Sequence, residues 1–302
     1  MPKCTSTSGC ARSSANRRSP SSLASSSLLV STGELARHPE WRVFDCRHDL
    51  FRPNLGEEQY AKAHIPGALF AHMERHLSGP KRGGNGRHPL PEPQAFAAWL
   101  GRAGLRPQDR VVCYDANNGS MAARLWWLLR WIGHEGDVAL LDGGLAQWAE
   151  DERPVTAEVP VFAPTDYPCR PNDELLVDAR FIEQRLGAKS MLLVDARAQA
   201  RYRGEQEPID PVAGRIPGAL NRFIADNLQP EGQFKSAASL RGELGRLLGD
   251  RAPSEVVHYC GSGVAACHNL FAMELAGYPG SRLYPGSWSE WLADPRRPQE
   301  KG

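Results

Sequence analysis

A chain of 302 residues, 41% hydrophobic and with a formal net charge of +1, is long enough for two ordinary domains, each burying its own core. So small a net charge supplies no basic field for nucleic acid, and no run approaches the roughly 18 apolar residues that cross a bilayer. Seven cysteines stand at 4, 10, 46, 113, 169, 260 and 267. The odd number and the lack of any Cys-x-x-Cys argue against a disulfide framework or structural zinc, and for a reducing, cytoplasmic compartment.

Residues 1–27 are rich in Ser and carry Lys3, Arg12, Arg17 and Arg18, with no acidic residue before Glu34. Leu28-Leu29-Val30 is too short for a secretory signal, and the stretch lacks the amphipathic pattern of a transit peptide, so it reads as a disordered tail.

From Leu28 onward the chain says nearly the same thing twice. The first copy predicts a strand at 28–30, a helix over 32–38 and a strand ending Asp45-Cys46-Arg47. It continues with His64-Ile65-Pro66-Gly67-Ala68, a strand Val111-Val112-Cys113-Tyr114-Asp115, and Leu141-Asp142-Gly143-Gly144 running to Trp148. The second copy answers with a strand at 176–178, a helix near 179–186 and a strand ending Asp195-Ala196-Arg197. Arg215-Ile216-Pro217-Gly218-Ala219, Val256-Val257-His258-Tyr259-Cys260 and Tyr284-Pro285-Gly286 to Trp291 follow. Amphipathic patterns over 95–103, 122–132 and 240–248 lie between strands. This alternation predicts an α/β protein of two tandem domains, each a mostly parallel sheet with helices on both faces. The expected boundaries are 28–157 and 173–302, joined by a stiff linker over 158–172 that holds Pro160, Pro164, Pro168 and Pro171.

In such sheets reactive groups gather at the carboxyl ends of strands. Cys260 stands at one, followed by Gly261-Ser262-Gly263 and a helical pattern from Val264 to Gly277. Glycines let a backbone curl around a side chain, and the free N–H groups of a helix start favour a thiolate, the nucleophilic form of cysteine. The loop reads as built to make and hold a sulfur anion. Alone, a cysteine after a strand is as readily an inert packed thiol. The first copy places Asp115 at the equivalent position, so only the second copy can carry a covalent sulfur and the first is expected to be non-catalytic.

Taken together, Tyr60-x-x-x-His64-Ile65-Pro66-Gly67-Ala68, Cys260-Gly261-Ser262-Gly263-Val264 and Arg282-Leu283-Tyr284-Pro285-Gly286-Ser287-Trp288-Ser289-Glu290-Trp291 resemble the motifs of two-domain rhodanese sulfurtransferases over residues 28–298. The active loop is similar to that of the mercaptopyruvate branch. The resemblance implies that Cys260 takes a sulfane sulfur as a persulfide and passes it to a thiophilic acceptor such as cyanide, a thiol or thioredoxin. It implies a persulfide cradle of amides from Gly261, Gly263, Val264 and Ala265, with Ser262 in proton transfer. It also makes Arg201 the substrate-anion arginine, with Asp195 as an orienting ion-pair partner, and casts His64 in a Ser–His–Asp relay.

The chain departs from that pattern twice. Arg52 stands where an aspartate is usual, leaving Asp49, Glu57 and Glu58 as carboxylates for the relay. The segment Glu205-Gln206-Glu207-Pro208-Ile209-Asp210 lacks the second arginine of mercaptopyruvate enzymes, and Arg215 is the candidate to supply that charge. His258, His268 and Cys267 are expected to have no chemical part.

Neutral Gly261 and Ser262 after the cysteine favour 3-mercaptopyruvate, a monocarboxylate, over the thiosulfate dianion. The alternatives are a thiosulfate sulfurtransferase and a non-catalytic sulfur-carrier or binding protein. A Cys-x5-Arg phosphatase is disfavoured because Ala266 occupies the arginine position. No metal or organic cofactor is expected, since His and Cys never cluster at ligand spacing. No feature of the sequence sets an oligomeric state.

Overall fold

The computed structural model describes residues 28–302 apart from Lys189; the N-terminal tail lies outside the described residues. In the first half, β1 (Leu29–Val30), β2 (Arg42–Asp45), β3 (Ala68–Phe70), β4 (Val111–Tyr114) and β5 (Val138–Leu141) form one sheet in the order β1-β5-β4-β2-β3. The second half holds β6 (Leu192–Asp195), β7 (Leu220–Asn221), β8 (Val256–Tyr259) and β9 (Arg282–Leu283) in the order β7-β6-β8-β9. Every strand pairing in both sheets is parallel. The second copy's opening strand is reduced to one parallel bridge, Leu176 to Leu283, at the place β1 takes beside β5. The topology is thus duplicated as well as the sequence.

Strand side chains alternate between two cores, as a period of two requires. Val43, Val112, Ala139 and Leu141 face an outer core of the first half, and Leu193, Val257 and Tyr259 an outer core of the second. The inward residues Phe44, Val111, Cys113 and Leu140 share a single apolar cluster with Leu192, Val194 and Val256. The halves are therefore joined through a common interior. At its centre the helix Ser120–Trp131 packs on the helix Ala265–Leu275. Trp126 meets Phe271 edge-on, with ring centroids 5.1 Å apart. Residues 266–273 of the latter helix are all buried, as expected of a helix enclosed on every side. These are the helices that follow Asp115 and Cys260, so their packing sets the two loop ends at the interface.

The proline-rich segment after residue 155 carries no regular element before Asp173. It is nevertheless pinned to the first half by backbone hydrogen bonds from Thr165 to Gly101, Arg170 to Ile132 and Asn172 to Trp131. No helix among the described residues is long and apolar enough to cross a membrane.

Candidate active site

Cys260 leaves β8 with its amide donating to Ser287 Oγ at 3.1 Å. Trp288 and Ser289 donate back to the carbonyls of Cys260 and Gly261, so the C-terminal motif grips the loop from behind. Gly263, at φ +77°, directs its N–H at Cys260 Sγ, 3.2 Å away. A Cβ at Gly263 would stand 2.3 Å from the Pro285 carbonyl oxygen, which makes glycine obligatory there for space as well as for φ. Of the cradle amides expected from sequence, Gly263 is the one that bonds the sulfur; Gly261, Ser262, Val264 and Ala265 line the cleft around it.

The cleft encloses about 260 Å³ and is walled by both halves. The second half contributes Cys260, Ser262, Arg197 and Arg201; the first contributes His48, Leu50, Arg87, His88 and Met121. His88 Nδ1 is 2.8 Å from Ser262 Oγ, and burial pushes its pKa down to about 3, with Arg124 adding to the effect. The ring is therefore neutral at pH 7 and can both accept and donate. Arg124, fully buried in the helix Ser120–Trp131, donates to the carbonyls of Leu77, His88 and Pro89 and, at 3.1 Å, of Gly263. One guanidinium thus fixes the histidine segment and the sulfur loop to each other.

A ladder of alternating charge lines one wall. Asp195 pairs with Arg197, Arg197 and Arg201 share Glu207, and Asp210 bridges Arg201 and Arg87. Asp195 is fully buried and holds Arg197 rather than facing the cleft. The first half repeats the base of this ladder as Asp45–Arg47, with Tyr114 donating to Asp45 at 2.7 Å.

Two sequence expectations are corrected by the geometry. His64 does not reach the cleft. Its ring is buried, stacked on Tyr60, and its nitrogens sit 2.7 Å and 3.0 Å from the carbonyl oxygens of Tyr60 and Glu158. Arg215 supplies no charge to the site either; it is engaged by Glu300, the Gly302 carbonyl and the Tyr202 ring. The reason is common to both. His64 pairs with Thr156 and Arg215 with Glu300 as isolated antiparallel bridges, so the repeated Ile-Pro-Gly turn ties down the end of each half. The histidine at Ser262 is His88, from the Gly- and Pro-rich loop that precedes the helix Pro93–Arg102. No carboxylate hydrogen-bonds it among the described residues: Asp49 accepts from the amides of Phe51 and Arg52, and Glu57 pairs with Arg75. Sequence reasoning also missed Arg87 and Arg124; a solvated charge and a helix charge look ordinary until the halves are docked.

Asp115 occupies in the first half the place of Cys260. Its carboxylate accepts amides from Asn117, Gly119, Met121 and Ala122 at 2.8–3.2 Å. Burial raises its pKa, and those four amides oppose the rise. The anion cradle is retained there with a fixed carboxylate filling it. His268 bonds the Asn118 carbonyl and Asn227, and Cys267 donates to the Gly263 carbonyl, which are structural uses. No cluster of three or more potential metal ligands occurs among the described residues.

Comparison with known proteins agrees with this geometry. The family described as Rhodanese-like domain matches residues 31–151 and 178–294. The chain therefore belongs to the rhodanese family, as a sulfurtransferase with two such domains in tandem. Among its relatives is a Pseudomonas aeruginosa protein named "Probable 3-mercaptopyruvate sulfurtransferase", 49% identical over 92% of this chain and 99% of that protein. Mouse thiosulfate sulfurtransferase is 34% identical over 87% of this chain and 91% of its own length. The crystal structure of SseA from Escherichia coli, described as a 3-mercaptopyruvate sulfotransferase, superposes with a TM-score of 0.75 at 30% identity, covering 87% of this chain and 99% of that one.

Proposed function

We propose that the protein transfers sulfur from 3-mercaptopyruvate through a Cys260 persulfide to a thiophilic acceptor. The observation that carries the reading is the Gly263 amide aimed at Cys260 Sγ in a cleft that also holds Ser262–His88 and Arg201. The Cys260 thiolate attacks the donor sulfur; an S–S bond forms, the C–S bond breaks, and its electron pair leaves on carbon as pyruvate enolate. The proton on the donor thiol is passed through Ser262 and His88 to that carbon, giving pyruvate and a persulfide anion. An acceptor thiolate or cyanide then takes the outer sulfur and releases the Cys260 thiolate. Thioredoxin is an acceptor of suitable chemistry, and the free thiols Cys46, Cys113, Cys169 and Cys267 suit a reducing, cytoplasmic setting.

Charge supports the donor choice. Three guanidinium groups, Arg87, Arg197 and Arg201, are set against three carboxylates, Asp195, Glu207 and Asp210. A site balanced in this way favours a monoanion over the thiosulfate dianion, which would bring a second uncompensated charge. Incubation with 3-mercaptopyruvate followed by peptide mass spectrometry should add one sulfur atom to the peptide containing Cys260, and Cys260→Ala should abolish it. An unmodified wild-type peptide would overturn the reading. A higher kcat/KM with thiosulfate would move the donor and leave the chemistry of Cys260 in place.

A further inference from the structure

A second cavity, of about 340 Å³, lies in the first half and shares no lining residue with the cleft at Cys260. Its volume falls in the range of small-molecule sites. It sits at the root of the loop whose tip carries Arg87 and His88. Ser78, Gly79 and Pro80 line it from the outgoing limb of that loop and Pro91 from the returning one. The Gly79 amide donates to the Pro89 carbonyl at 2.9 Å, and a Cβ on Gly79 would stand 2.5 Å from the Leu90 carbonyl oxygen, so the two limbs meet in close contact. The helix Pro93–Arg102 supplies a further wall through Phe96, Trp99 and Arg102.

Three groups in this cavity hold capacity that the protein itself does not use. Ser78 is 7% exposed, and its hydroxyl is buried without a hydrogen-bond partner. A native fold rarely leaves such a group unpaired. His76 Nδ1 accepts the His72 amide at 3.1 Å. Burial pushes its pKa down to about 4, with Arg75 adding to the effect, so at pH 7 the neutral ring carries its proton on Nε2. No acceptor takes that proton among the described residues, and stacking on Trp99, with ring centroids 4.6 Å apart, fixes the ring. The third group is Arg102. The other charges lining the cavity are matched, Glu74 by Lys81, Glu92 by Arg82 and Arg75 by Glu57. Arg102, in the last turn of its helix, has no carboxylate partner among the described residues.

We propose that this cavity is a second ligand site and takes a small monocarboxylate with an aromatic or branched apolar body. Arg102 takes the carboxylate, Ser78 and His76 donate hydrogen bonds, and the body lies against Phe96 and Trp99. One unmatched positive charge calls for a monoanion, and the apolar wall favours a ligand with a hydrocarbon part over a bare inorganic ion. The site stands apart from Cys260 and does not depend on which sulfur donor that residue uses.

Benzoate is the probe, titrated into the full chain labelled with nitrogen-15 at the tryptophan indoles. The Trp99 indole resonance is assigned by its loss in Trp99→Phe, and it reports this cavity rather than the sulfur cleft, which holds no tryptophan in its lining. It should shift saturably with benzoate. Arg102→Gln, a change at an exposed position, should raise the dissociation constant by about tenfold, as expected for loss of one charge-assisted contact. Ser78→Ala should raise it by about threefold to tenfold. Benzylammonium, the same ring with the opposite charge, should leave the resonance in place. No saturable shift with benzoate, equal affinity in wild type and Arg102→Gln, or an equal response to benzylammonium overturns the proposal.

Discussion

His88 Nδ1 and Ser262 Oγ lie 2.8 Å apart although 174 residues of chain separate them. The pair exists because the helix after Asp115 packs on the helix after Cys260, and because Arg124 on the first of these binds both the His88 carbonyl and the Gly263 carbonyl. A proton route of this kind matters for one donor and not for the other. Pyruvate enolate needs a proton on carbon, whereas sulfite leaves thiosulfate with none required. Ser262→Ala and His88→Asn should each lower kcat with 3-mercaptopyruvate by about tenfold to a thousandfold. Persulfide loading from thiosulfate should change less than about threefold. Equal losses on both donors would show that the pair shapes the loop and moves no proton.

Arg124 is a fully buried cation whose donors end on backbone carbonyls. Arg124→Met leaves those oxygens unpaired and should lower unfolding stability by about 2–4 kcal/mol, read from urea midpoints. Arg124→Lys should restore only part of this, since an ammonium cannot span the carbonyls that a planar fork reaches. Full stability in Arg124→Met would mean that the oxygens find other partners.

Asp115 accepts four amides in the sulfur-free copy of the loop. Asp115→Ala should cost about 3–5 kcal/mol, and Asp115→Asn, which keeps one acceptor oxygen, about half of that. Because Asp115 does not line the cleft, the Cys260 persulfide should still form in whichever variant remains folded, as mass spectrometry of the loop peptide would show.

His258 sits fully buried on β8 with neither ring nitrogen hydrogen-bonded, and burial pushes its pKa from 6.5 to about 3. Below pH 6.5 the unfolded chain takes up a proton that the folded chain refuses, so stability falls as pH falls from 6.5 towards 3. At pH 5 this one group accounts for about 2 kcal/mol. His258→Phe removes that dependence. The difference in urea unfolding free energy between variant and wild type should therefore shift by about 2 kcal/mol in favour of the variant between pH 7 and pH 5. Parallel pH profiles would show that the histidine titrates freely in the folded state.

Much of each half is legible in the chain because it depends on neighbours close in sequence. Strand periodicity, the Gly261–Gly263 spacing and the helix after it place Cys260 at a strand end without knowledge of anything distant. The repeat also marks which copy lacks the sulfur, because Asp115 stands where the other has Cys260. The same repeat misleads at His64. A residue inside a motif that both halves share serves what both halves need, here the tie between a Pro-Gly turn and the end of the half, and its partner Arg215 does the same task.

What the sequence determined by itself is the duplicated scaffold and the strand-end Cys260 with its nearest amide, each encoded by residues close together in the chain. The tertiary structure decided the identity of the histidine, the buried arginine between the loops and the cation that faces Arg201. His88, Arg124 and Arg87 gain their meaning when the inward faces of the two sheets close on one core, and no local pattern records which side chains that closure brings to the loop and wall around Cys260.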